Sequence, residues 1–168
     1  QGEHNQVLPV DAVRPGLPGE ELGGVFMLRH LEDALKIKKF LNGNGCRKAV
    51  IIGAGFISME MTENFRRLGI HTTIVSRSSY PVPRWDPVFS KMILDSLREN
   101  GIEFKADTNP LSIEKGSECR LKVRSTAGDL DADIVLLAIG IKPNVELARS
   151  MGVEIGRTGA VRVNLDAH

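Results

Sequence analysis

Lys48-Ala49-Val50-Ile51-Ile52-Gly53-Ala54-Gly55-Phe56-Ile57-Ser58 decides the fold. Ala49 to Ile52 is a short unbroken apolar run bounded by Gly, the pattern of a strand buried on both faces of a parallel sheet. Behind it Ile57, Met61, Phe65 and Leu68 recur at helical spacing, and Gly69 closes that helix. Thr72 to Val75 is a β-branched second strand. Lys48 to Ser76 spans 29 residues, close to the ~30 that one βαβ unit takes.

Outward from this unit the pattern continues. Asp86-Pro87 reads as an N-cap with Pro in the first helical position, and Phe89, Met92, Ile93 and Leu97 supply an apolar face. Asn100-Gly101 ends the helix, and Ile102 to Ala106 begins a third strand. From 111 to 131 the character changes. Leu121, Val123 and Ser125 alternate with Arg120, Lys122 and Arg124, as in a half-exposed antiparallel strand, with turns at Lys115-Gly116-Ser117 and Ala127-Gly128-Asp129. Ile134 to Ile139 returns to a fully buried strand. On the N-terminal side, residues 1–29 are rich in Pro and Gly and read as an extended lead-in outside the core. A helix is expected from about Glu32 to Leu41, with Leu31, Ala34, Leu35, Lys38 and Leu41 on its packed face and Asn42-Gly43-Asn44-Gly45 as its stop. The expectation is an α/β fold: a Rossmann-like parallel sheet with an inserted antiparallel β-meander, in three layers.

Gly53-x-Gly55-x-x-Ser58 between a strand and a helix is the setting a dinucleotide fingerprint requires. Gly53 permits the tight turn, Gly55 lets a diphosphate approach the backbone, and the third position needs a small residue for helix-to-strand packing. The helix N-terminus then offers free N–H groups to the phosphates. The bland alternative is a glycine turn that binds nothing. An acidic residue at the end of the second strand would accept the ribose 2′-hydroxyl of NAD. Here the strand ends Val75-Ser76-Arg77, and no Asp or Glu occurs from Asn64 to Trp85. Arg77 and Arg84 suit a 2′-phosphate, with serines as donors, so NADP is favoured over NAD. Arg66 and Arg67 read as solvated helix residues.

Composition excludes other classes. With 22 Lys+Arg against 21 Asp+Glu the net charge is +1, which offers nucleic acid or anionic lipid no general attraction. Hydrophobic residues make up 42% of the chain, enough for a proper core. The longest apolar run, Ile134 to Ile139, is far short of the ~20 residues of a membrane helix. The start, Gln1 to Gln6, lacks the basic-then-apolar pattern of a secretion signal and has no initiating Met, as expected of a processed or excised piece. Cys46 and Cys119 form no C-x-x-C pair, so a reducing, cytoplasmic setting is expected. His4, His30, His71 and His168 share no metal-ligand spacing.

Four stretches, in order along the chain, resemble the pyridine-nucleotide domain of the FAD-dependent pyridine nucleotide-disulfide oxidoreductases, in the branch of the NADH oxidases and coenzyme A-disulfide reductases. They are Pro18 to Arg29 with Asp33-Ala34; Lys48 to Met61; Ala132 to Gly140 with Pro143-Asn144; and Gly159 to Asn164. The resemblance implies roles by position. Gly53, Gly55, Ile57 and Ser58 would hold the diphosphate, Phe56 would be the aromatic gate over the flavin face, and Glu60 would stand near the nicotinamide. Ile139 and Gly140 would face the nucleotide through their backbone. Ser76, Arg77 and Arg84 would meet the adenosine ribose, the two arginines being the basic pair of NADPH-using members. It also implies a division: residues 1–30 as a linker from a flavin domain, 31–145 as the NAD(P)-binding domain and 146–168 as the return toward the flavin domain. The family's flavin glycine motifs and redox-active cysteine are not among these residues, and Ser58 and Ser76 replace commoner small and acidic residues.

Hydride transfer needs nicotinamide held against flavin. The chain by itself is therefore expected to bind NAD(P)H without turnover, and to act with FAD only in a full-length polypeptide, there paired as a homodimer. Two alternatives remain at this point: a non-catalytic dinucleotide-sensing Rossmann module, and a Gly53 turn that binds the ADP half of FAD. The meander and flanking stretches speak against the first. The missing acid after the second strand weakens the second, because FAD also presents a ribose hydroxyl there.

Overall fold

Alternation along two short strands builds both halves of the core. In the computed structural model, which describes residues 10–117 and 119–163, β3 (Lys48–Ile52) lies between β4 (His71–Val75) and β9 (Ile134–Leu137), parallel to both. Ala49, Ile51, Ile134 and Leu136 face one way, into a cluster with Ile37, Phe65 and the half-buried Leu97. Val50, Ile52, Val135 and Leu137 face the other way, against Ile113, Leu121, Val123 and Ala132. The first set of partners comes from α1 (Leu31–Asn44), α2 (Phe56–Arg67) and α3 (Pro87–Glu99). The second comes from the antiparallel meander β6 (Pro110–Lys115), β7 (Leu121–Ser125), β8 (Leu130–Ala132). Helices, parallel sheet and meander are the three layers expected.

The sheet is completed by β2 (Val25–Met27) and β5 (Glu103–Lys105), in the order β2-β9-β3-β4-β5. β2 corrects the reading of residues 1–29 as a lead-in outside the core. Val25 to Met27 pair with Val135 to Leu137, and Val135 N–H donates to Gly24 O at 2.9 Å. A three-residue edge strand inside a Gly-rich stretch is too short to carry a period. Residues 14–140 form one compact unit. In the other, β1 (Val10–Ala12) pairs antiparallel with β10 (Ile141–Pro143), followed by α4 (Glu146–Ser150) and a bridge between Ile155 and Val161. The start of the expected lead-in, residues 1–9, and the Asn164 end of the return segment lie outside the described residues.

Three helix faces also differ from expectation. α1 begins at Leu31 and runs through Asn44, where Gly45 in the left-handed region (φ 59°) caps it. It packs Ile37, Phe40 and Leu41, while Leu31 (72% exposed), Ala34, Leu35 and Lys38 face solvent. The helix carries two apolar stripes, and periodicity alone does not choose between them. On α2 the buried positions are Ser58, Thr62 and Phe65; Met61 is half-buried, while Ile57 and Leu68 are exposed. Small residues let this helix approach the sheet closely, so size rather than hydropathy selects the face. On α3, Asp86 accepts from Val88 N–H at 2.9 Å as expected of the N-cap. Ser90 and Leu94 are buried, whereas Phe89 and Met92 are exposed. Among the described residues no helix is long and apolar enough to cross a membrane.

Candidate functional site

Successive strands β3, β4 and β5 step to one side of β3, and β9 then lies on its other side. That reversal makes the C-terminal ends of β3 and β9 a topological switch point, where open α/β sheets form a crevice. Gly53 occupies it. Its φ of +110° suits only glycine, and a methyl there would overlap the Ala138 carbonyl oxygen and come to 3.1 Å from Ile139 N. Gly53 N–H donates to Val75 O at 2.9 Å and Ala138 N–H to Ile52 O at 2.8 Å. The turn is therefore locked between both neighbouring strands, and Ile139 is brought beside it. Gly140 follows, exposed.

Two residues on the environment reverses. A methyl on Gly55 would meet nothing within 4 Å. Gly55 is the N-cap of α2, with no side-chain cap and no acidic residue in the first turn. Among the described residues the first backbone bond of the helix is Met59 N–H to Gly55 O at 3.2 Å. The N–H groups of Phe56, Ile57 and Ser58 thus precede the intrahelical ladder, and the space where a Gly55 side chain would stand is open. This is a cradle that fits a diphosphate: uncapped donors, the positive end of a helix dipole and room that a Cβ would otherwise fill. The Ser58 side chain faces the opposite way. It is 0% exposed, and its hydroxyl has no partner among the described residues. Its part is to let helix and sheet approach. Glu60, exposed, sits one turn after Phe56 on the same face of α2.

The loop after β4 forms the second wall. Ser76 is buried, and its hydroxyl accepts from Ser78 N–H at 3.0 Å, so it braces the turn rather than projecting from it. Thr108 N–H donates to Ser76 O at 2.8 Å. Arg77 and Arg84 are exposed, and among the described residues neither forms an ion pair. Arg66 and Arg67 lie exposed on α2, Arg67 paired with Glu63.

Three residues of this wall went unread in the sequence. Asp107, from beyond β5, accepts from the Ser79 hydroxyl at 2.9 Å and so brings an acid to a loop that has none of its own. No spacing rule reaches it, because it lies in the turn that follows the next strand. Val82 holds φ 46°, a conformation costly for a β-branched residue. Its N–H donates to Ala54 O at 2.8 Å inside the glycine turn, which ties the two walls together. The flanking Pro81 and Pro83 are its only signal in the sequence. Trp85, 47% exposed, sets its ring edge-to-face on Phe56 with centroids 5.3 Å apart.

The cysteines stand apart from this chemistry. Burial, reinforced by the nearby Asp133 carboxylate, pushes the Cys46 thiol above its usual range, the opposite of an activated thiolate. Among the described residues no group of three His, Cys, Asp or Glu could hold a metal ion.

Comparison with known proteins agrees with this fold. The family profile described as pyridine nucleotide-disulphide oxidoreductase matches residues 10–167. The NAD(P)H sulfur oxidoreductase (CoA-dependent) of Pyrococcus furiosus is 38% identical over 151 residues, covering 89% of this chain and 34% of that protein. The NADH oxidase of Methanocaldococcus jannaschii is 34% identical over 152 residues, covering 89% and 33%. The crystal structure of reduced CoADR-RHD from Bacillus anthracis superposes with a TM-score of 0.83 at 30% identity, covering 92% of this chain and 28% of that one. The chain spans about a third of the length of the curated relatives it matches.

Proposed function

The chain belongs to the pyridine nucleotide-disulphide oxidoreductase family, and from that premise we propose that it is the family's NAD(P)H-binding domain, with the coenzyme diphosphate on the N–H groups of Phe56, Ile57 and Ser58. The observation that carries this reading is the uncapped, unobstructed α2 N-terminus at Gly55, set at the switch point by the closed turn at Gly53. Bound NAD(P)H supplies a hydride. The residues of this chain bind and orient its donor: Arg77 and Arg84 at the adenosine end, Phe56 and Glu60 at the nicotinamide end, and the Ile139 and Gly140 backbone along the cleft. In a polypeptide of the relatives' length, the hydride passes to FAD held outside the NAD(P)H domain, the segments flanking residues 14–140 join the two domains, and the protein works as a homodimer. By itself the chain is catalytically silent. NADPH is preferred over NADH, because Arg77 and Arg84 are exposed and form no ion pair among the described residues, while the nearby carboxylates are engaged elsewhere, Asp107 by the Ser79 hydroxyl and Asp86 by Val88 N–H. The relatives' names, one NAD(P)H and one NADH, leave this preference to the residues themselves.

Titration calorimetry of the chain with each coenzyme tests both levels. NADPH is expected to bind about tenfold more tightly than NADH, the scale of one charge-assisted contact, and Arg77→Ala to narrow the gap. Equal affinities would overturn the 2′-phosphate assignment. Absence of binding by either coenzyme would overturn the domain's function.

A further inference from the structure

Phe56, Trp85 and Phe89 form a row of aromatic rings on the surface, with centroids 5.3 Å and 6.4 Å apart and interplanar angles of 65° and 81°. All three are roughly half exposed, so burial in the core does not explain them. The backbone beneath the row is anchored to the glycine turn. Trp85 N–H donates to Val82 O at 2.9 Å, Val82 N–H donates to Ala54 O at 2.8 Å, and the Ser90 hydroxyl donates to Val82 O at 3.2 Å. Val82 keeps its left-handed φ of 46° in that position. Phe56 contributes both a free helix N–H and the ring that Trp85 touches. Its own helix does little to fix that ring, because the residue before it is a glycine and the next residue on its face is the exposed Glu60.

We propose that Trp85 is the positioning residue for Phe56: the indole, fixed to the diphosphate turn through Val82, holds the Phe56 ring at the mouth of the turn and sets the path of the dinucleotide. Phe89 backs the indole from α3. Arg84 and Trp85 are consecutive, so one short segment both meets the adenosine end and aligns the ring at the nicotinamide end. This inference rests on the dinucleotide reading of the Gly53–Ser58 turn.

Trp85 is the one tryptophan in the chain, which gives the test a spectroscopic reading. NADPH binding to the wild type should quench Trp85 emission, because reduced nicotinamide absorbs where tryptophan emits. By calorimetry, Trp85→Ala should weaken NADPH binding roughly threefold to tenfold, the worth of one aromatic pair, while Trp85→Phe should stay within about twofold because its ring can still pack on Phe56. Circular dichroism should show both variants folded, since Trp85 is half exposed. In a double-mutant cycle, Phe56→Ala with Trp85→Ala should bind no more weakly than Phe56→Ala alone. Losses that multiply, an unaltered affinity in Trp85→Ala, or calorimetric binding without quenching would each overturn the positioning role while leaving the dinucleotide site standing. A wild-type chain that binds neither coenzyme would instead remove the reading beneath it.

Discussion

Gly53 and Gly55 stand two residues apart and do opposite work. Gly53 is closed in: its φ is +110° and the end of β9 fills the space a side chain would need. Gly55 is open: its backbone is extended and nothing lies within 4 Å of where a Cβ would stand. The first glycine is required by the fold; under the proposed function the second is required by the ligand. A fingerprint that treats its glycines as equivalent conceals this division. The largest expected effect separates them. Gly53→Ala should cost about 3 kcal/mol or more of stability, from strained φ together with overlap against Ala138, read as a lowered denaturation midpoint. Gly55→Ala should change stability by less than about 1 kcal/mol yet weaken NADPH binding at least tenfold by occupying the phosphate space. Equal losses of stability in the two variants would break the comparison.

Ser58 sharpens it on a smaller scale. Its hydroxyl is buried against the sheet with no partner among the described residues, and such a group costs about 1–3 kcal/mol. Ser58→Ala should therefore raise stability by about 1 kcal/mol in a melting experiment and leave coenzyme affinity unchanged, because the backbone N–H remains. A drop in affinity would mean that the hydroxyl reaches the ligand after all. The smallest effect lies two strands from β3. Lys105, 2.6 Å from Glu103, holds that carboxyl below the ordinary value of 4.5, aided by the Thr73 hydroxyl and opposed by partial burial. A depressed carboxylate stabilises the fold above its unfolded value and loses that contribution as pH falls through the folded one. The wild type should thus lose slightly more stability than Glu103→Gln below pH 4.5, by less than about 0.5 kcal/mol because the pair is solvated. Coenzyme affinity at neutral pH should not change.

What the sequence disclosed follows the same division between inside and outside. The buried strands were legible because β3 and β9 are apolar on both faces, and the meander because Leu121, Val123 and Ser125 alternate with charged residues. Helix faces were misread where two apolar stripes compete, as on α1, or where the packed face is small and polar, as with Ser58 and Thr62 on α2. β2 was missed because three residues set no period. Within the candidate site, the glycine turn and the two arginines were local in sequence and could be read directly. Asp107, Val82 and the edge-to-face contact of Trp85 with Phe56 are tertiary, and no local pattern announces them. Ser76 follows the end of β4, where its hydroxyl braces the loop, a role that no local pattern announces.

Under the proposed function the N–H groups opening α2 receive a diphosphate. ADP carries that group without a nicotinamide or a 2′-phosphate, so titrating it into the isotopically labelled chain isolates the claim by amide NMR. The largest shifts should fall on Gly55, Phe56, Ile57 and Ser58. Saturable binding that leaves those four amides unmoved, with the shifts elsewhere, would contradict it.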